Sequence, residues 1–232
     1  MRKTLLIVFF IALFAVPCWS AGTDDNFSIE KGEISEAAQS IANKALAEQL
    51  AVFGREQKSP LIIASAAQIL NGIGAFTEEK MVKEEEAKAK EGATEKTVTG
   101  AGNTPESLYA EAISVAKEQG DAALAAVLES QSRVGGTRGV QGGARYNYDR
   151  VYGRDNYTFR FVGRSLATVL VTGDGDDIDL YVYDSNGNLI AYDDDRSTVC
   201  YVSWTPRQTA NYRIVVENAS RYEYIDYRID TN

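Results

Sequence analysis

Gly173-Asp174-Gly175-Asp176-Asp177-Ile178-Asp179-Leu180-Tyr181-Val182-Tyr183-Asp184 decides how the second half of this chain reads. Ile178, Leu180 and Val182 alternate with Asp179, Tyr181 and Tyr183, the period of a strand with one buried face. Ser185-Asn186-Gly187-Asn188 follows as a turn, because Asn-Gly tolerates positive φ. Upstream, Tyr157, Phe159 and Phe161 alternate with Thr158 and Arg160, and Ala167, Val169 and Val171 alternate within 166–172. Downstream, 189–192, 199–204, 212–216 and 224–229 continue in the same manner. Seven short strands within about 75 residues predict a β-sandwich.

The first half has a different chemistry. Residues 21–132 carry nine Lys and one Arg against 16 Glu and three Asp; after residue 132 there are 12 Arg, no Lys and 12 of the 13 Tyr. Ala, Glu and Lys suit helices, whereas Tyr and β-branched residues suit strands. Ile34, Ala38, Ile41 and Ala45 recur at helical spacing, and Leu46, Leu50 and Phe53 continue the stripe. Ser59-Pro60 and Thr104-Pro105 are helix starts, a capping side chain followed by a residue suited to the first turn. The apolar run 61–73 predicts a central helix, and Gly120-Asp121 ends one helix and caps the next. Glu78 to Glu91 reads as a solvated helix and Gly92 to Asn103 as a loop. The expected fold class is therefore α+β multidomain, a helical bundle region followed by an all-β, jelly-roll-like sandwich. Its boundaries fall at 28–132 for the helices, 133–150 for a Gly/Arg-rich linker (Gly135, Gly136, Gly139, Gly142, Gly143) and 151–232 for the sandwich.

Residues 1–20 read as a secretory signal: Arg2 and Lys3, then an apolar run 5–16 too short to span a ~30 Å hydrocarbon core. The expected location is periplasmic or secreted, with no stable membrane span in the mature chain. That compartment permits disulfides, yet only Cys200 follows the signal, and its alternation with Val202 and Trp204 reads as a buried strand position. Asn26, Asn156 and Asn218 begin Asn-x-Ser/Thr triplets, relevant where the host glycosylates exported Asn. The chain has no histidine, which excludes Ser-His-Asp and Cys-His catalysis and His-ligated metals. A net charge of −9 speaks against nucleic acid as partner.

Eight Asp lie between residues 174 and 195, with no Lys or Arg among them: Asp174, Asp176, Asp177, Asp179, Asp184, Asp193, Asp194 and Asp195. Carboxylates at that density are reconciled by a divalent cation, and calcium suits flexible loops offering six to eight oxygens. The plain alternative is that Asp and Asn form turns and keep strand edges soluble. Paired carboxylates also admit a glycan hydrolase. From Arg133 to Arg164 the sign reverses, with Tyr146, Tyr148 and Tyr152 interleaved. Such an arm either meets an anionic polymer or membrane headgroups or folds back onto its own domain.

The run 173–184, with Asn186-Gly187-Asn188, Val202-Ser203-Trp204-Thr205-Pro206 and Tyr212-Arg213-Ile214, resembles the bacterial pre-peptidase C-terminal domain over roughly residues 150–232. The resemblance implies a compact β-sandwich that accompanies exported enzymes, with calcium-dependent matrix-binding modules among its relatives. Asp177, Asp179 and Asp184 match the family's acidic strand pattern. Residues 1–150 read as a signal, helices and a linker rather than a peptidase, so a protease-accessory role is not expected. The expectation is an exported, non-enzymatic accessory protein that binds an envelope or extracellular protein or a glycan. The alternative is an enzyme acting through carboxylates alone.

Overall fold

The computed structural model describes residues 25–85, 102–133, 143–175, 177–219 and 223–232. The helices are α1 (Glu36–Glu56), α2 (Pro60–Gly72), α3 (Pro105–Glu118) and α4 (Ala122–Ser132). The strands are β1 (Thr77–Glu78), β2 (Lys83–Glu85), β3 (Arg145–Val151), β4 (Arg154–Phe161), β5 (Ala167–Gly173), β6 (Ile178–Tyr183), β7 (Leu189–Asp193), β8 (Val199–Trp204), β9 (Ala210–Asn218) and β10 (Ile225–Thr231). This is an α+β protein, helices followed by a β-sandwich. The expected signal at 1–20, Asp176 and linker residues 134–142 lie outside the described residues.

Local chemistry starts each helix where the sequence places a cap. Ser35 Oγ accepts from Ala38 N, Ser59 Oγ from Ile62 N with Pro60 in the first turn, and Asp121 from Leu124 N. Thr104 and Ser107 cap each other's backbone N–H groups ahead of α3. α2 lies between α1 and α3, as its apolar run predicts, and Ile63, Ala66 and Ala67 are buried there.

The sandwich has one sheet ordered β1-β3-β10-β5-β8 and a second ordered β2-β4-β9-β6-β7. Inward-facing Tyr157, Phe159 and Phe161 meet Val169, Val171, Val202 and Trp204 in one core. Trp204 stands edge-on to Phe161, ring centroids 4.7 Å apart. Cys200 is fully buried and donates to Ile178 O at 2.7 Å. Gly187 takes φ +84° in the turn between β6 and β7.

α1 joins the two parts. Ala37, Ile41 and Ala45 pack on Leu170 and Val199, on the outer face of the first sheet. Ala47 and Ala51 face the other helices. The stripe read in the sequence is therefore two faces, which is why β5 is buried on both sides. Ile34, Leu46 and Phe53 of that stripe are exposed.

Two local expectations differ from the structure. Thr77–Glu78 and Lys83–Glu85 are strands, where the sequence reads as the start of a helix over 78–91; Met81 is drawn into the sandwich core, and tertiary pairing overrides helix propensity. The rest of that expected helix, 86–91, and the expected loop up to residue 101 lie outside the described residues. Residues 145–150, read as linker, belong to β3, which pairs along its whole length with β10. β3 turns Asn147 and Asp149 toward the sandwich interior, opposite Ile229 and Tyr227, so the apolar alternation that marks a strand is missing.

Candidate functional site

Among the described residues, no helix packs on the outer face of the second sheet. Three cross-strand rows cross it: Arg154–Glu217–Asp179, Asn156–Val215–Tyr181 and Thr158–Arg213–Tyr183. Alternation puts these side chains outside because Tyr212, Ile214 and Val216 of β9, and Ile178, Leu180 and Val182 of β6, are buried within. All of these side chains except Asp179 and Thr158 line an open concavity of about 300 Å³. Tyr192 of β7 extends the middle row, its ring 6.4 Å from that of Tyr181 and nearly parallel, 18° between planes.

The charges on this face are held in place. Arg154 pairs with Glu217 at 2.8 Å, and the Arg213 guanidinium lies 4.5 Å from the centroid of the Tyr183 ring. Asn156 Oδ1 is buried with no hydrogen-bond partner. Tyr181 OH donates to Asp179 Oδ2 at 3.2 Å. Burial pushes the Asp179 carboxyl up to about 6, and the neighbouring charges of Asp177, Glu217 and Asp194 add to the rise against the Tyr181 hydrogen bond.

The Asp residues singled out in the sequence divide into three groups. Asp184 is spent on its turn: it accepts from the backbone N–H of Asn26, Asn186 and Asn188 and from Asn188 Nδ2. Although burial opposes it, these bonds hold its pKa below the ordinary value. Asp174 accepts from Asp226 N at 2.8 Å and fixes the bend after β5, where a side chain at Gly175 would run into Ile225. Asp177, Asp179 and Asp193–Asp195 form the remaining acidic end. Asp177 Oδ1 is buried without a partner, and Asp193, which accepts from Tyr201 N at 2.8 Å, is raised by burial and by Asp195 and Asp194. Asp194 and Asp195 are exposed. Among the described residues no three acidic groups are arranged to hold a metal ion, and Asp176 is not among them.

The arginine stretch folds back on its own domain where it is described. Arg145 pairs with Glu79, Arg150 with Asp226 and Arg154 with Glu217. Sequence reasoning missed Glu217, and it missed the cluster Lys83, Asp149 and Asp155, because each set is assembled from separate strands by register alone. Asn218 is fully buried, with Nδ2 donating to Val151 O and Glu223 O, so its triplet is closed to modification in the folded state.

No family model matches the chain, and no curated protein matches it. Several solved structures are similar to part of it, two of them as follows. One is PliG of Aeromonas hydrophila, a periplasmic inhibitor of g-type lysozyme, at 15% identity over 38% of this chain and 84% of that chain, TM-score 0.29. The other is the pre-peptidase C-terminal domain of collagenase from Bacillus anthracis, at 12% identity over 39% of this chain and 80% of that chain, TM-score 0.25. Neither likeness assigns a function. Among the described residues no helix is long and apolar enough to cross a membrane.

Proposed function

We propose that this chain is an exported, non-enzymatic accessory binding module of the periplasm or cell exterior, and that it holds an envelope or extracellular protein or glycan on the outer face of the second sheet. The observation that carries this reading is the asymmetry of the sandwich. α1 covers one outer face, while the other presents Tyr181, Tyr183, Tyr192, Arg154 and Arg213 around an open concavity. Tyr and Arg are the residue types that concentrate binding energy at interfaces. Their pairing with Glu217 and stacking on Tyr183 hold them ready, which lowers the ordering cost of association.

The alternative, a carboxylate-dependent glycan hydrolase, has one supporting observation: Asp179, raised to about 6, stands in cross-strand register with Glu217. Against it, Glu217 is tied to Arg154, and the concavity is open rather than a cleft that encloses a sugar. Co-sedimentation with isolated cell envelopes separates the two. Tyr181→Ala with Tyr192→Ala should weaken retention by about tenfold or more. Asp179→Asn should leave retention in place, whereas release of reducing ends that is lost in Asp179→Asn would establish the enzyme.

Calcium belongs to the same proposal at the acidic end. Its support is the partnerless Asp177 Oδ1 and the raised Asp179, on which the charges of Asp177 and Asp194 act and which a divalent cation would relieve. Asp174 and Asp184, already engaged by backbone donors, stand outside this narrower set.

A further inference from the structure

A closed polar ring lies between the two sheets, away from the open face. Lys83 Nζ of β2 is 2.7 Å from Asp149 Oδ1 and 2.8 Å from Asp155 Oδ2, and donates to Arg150 O at 2.7 Å. Asp155 Oδ2 is 2.8 Å from Tyr227 OH, Tyr227 OH meets Tyr157 OH, and Tyr157 OH is 3.2 Å from Asp149 Oδ2. Both phenols are fully buried, and the side chains of Lys83, Asp149 and Asp155 are 13%, 22% and 3% exposed. Removing a lysine and two carboxylates from water is costly, and an apolar set of the same volume is often as stable.

A proton count shows what state the ring is in. Three oxygen–oxygen contacts run from Asp155 through Tyr227 and Tyr157 to Asp149, and each needs a proton. The two phenols supply two, so one carboxyl supplies the third. Burial selects Asp155, the more enclosed of the pair, whose carboxyl is raised to about 6 chiefly by desolvation, against the pull of Lys83. The ring therefore holds an ammonium, a neutral carboxylic acid and a carboxylate in mutual contact.

We propose that Lys83 and Asp155 form an intramolecular amide, an isopeptide cross-link between β2 and β4. Asp149 takes a proton from the Lys83 ammonium. The amine's lone pair then attacks Asp155 Cγ, forming the N–C bond. The C–OH bond of Asp155 breaks, and the hydroxyl leaves as water with the second amine proton. Asp149 is left protonated and, being the most exposed of the three, returns its proton to solvent. No oxidant or other reactant is consumed. An amine hydrogen-bonded to the acid stands roughly at the ~3–3.5 Å at which reacting atoms are poised, and enclosure supplies the high effective concentration that uncatalysed amide formation lacks. The dry surroundings protect the amide from hydrolysis. The cross-link staples a three-residue edge strand, shorter than the usual five or six residues of a strand.

Mass spectrometry of the full chain tests this directly. The protein should weigh one water, about 18 Da, less than the mass calculated for its own N-terminus, and Lys83→Arg should restore the full mass. Trypsin should fail to cut after Lys83, and the peptide carrying it should be joined to Asp155-Asn156-Tyr157-Thr158-Phe159-Arg160. A full intact mass with a free peptide ending at Lys83 would overturn the proposal. A branch onto the peptide 146–150, which carries Asp149, would overturn the assignment of Asp155 as the acid attacked.

Discussion

Lys44 Nζ on α1 and Asp230 Oδ2 on β10 lie 2.6 Å apart, joining residues 186 positions apart in the chain. Arg228 Nη2 holds the other carboxylate oxygen, also at 2.6 Å, and Asp230 is fully buried. The helical region and the first sheet thus share a desolvated charge cluster as well as an apolar contact. Asp230→Asn leaves two cations facing each other without an anion, and should cost about 3–5 kcal/mol in urea unfolding. Lys44→Met should cost clearly less, because Arg228 still neutralises Asp230. Equal losses in the two variants would show that Arg228 does not share the charge.

Trp204 and Cys200 face the same core from one strand. Trp204→Ala removes the ring that meets Phe161 and Tyr212, and should cost ~3–5 kcal/mol, read as a lowered melting temperature. Burial, and secondarily the surrounding Asp carboxylates, push the Cys200 thiol far above its ordinary pKa. Iodoacetamide should therefore leave the native protein unlabelled and label it fully in urea. Labelling without denaturant would mean that β8 opens independently of the rest.

Most of the architecture is legible where hydrophobic period and local caps agree. Ser59-Pro60, Thr104-Pro105 and Asp121 each mark a helix start, and Ile178, Leu180 and Val182 mark β6. What is not legible comes from long-range pairing. β3 hides because Asn147 and Asp149 occupy interior positions, and Lys83 looks like one charge in a Glu/Lys run until β2 pairs with β4. The dense Asp cluster is readable as chemistry but not as geometry. Asp184 and Asp174 carry the same side chain as Asp179, and only the backbone N–H groups around them show that they build turns.

Calcium should raise the melting temperature through Asp177, Asp179 and Asp193–Asp195. Binding to the folded state alone adds RT ln(1 + [L]/Kd), ~2.7 kcal/mol at a hundredfold excess over Kd. The comparison is melting in chelator and in millimolar calcium. Asp179→Ala should abolish or sharply reduce the gain, whereas Asp184→Asn and Glu84→Gln should leave it, though Asp184→Asn lowers the starting stability by loosening the turn. An unchanged melting temperature in the wild type would make turn formation and edge solubility the whole role of these residues.

The acidic end also sets a pH dependence. Asp179 is raised to about 6 and Asp193 is raised in the same direction, both chiefly by burial, from an ordinary value of 3.8. Between those values the folded state binds more protons than the unfolded chain, so stability falls as pH rises through the window. Asp184, held below 3.8, works the other way: its contribution is present above 3.8 and is lost on further acidification. In chelator, the urea midpoint should therefore be higher at about pH 4.5 than at about pH 7.5, and should drop again in stronger acid. Asp179→Asn removes a charge that the fold disfavours, so the variant should gain stability at about pH 7.5 and show a flatter slope between the two conditions. A wild-type midpoint that rises between about pH 4.5 and about pH 7.5 would mean that carboxylates with lowered pKa dominate the balance and that Asp179 is already relieved by a partner.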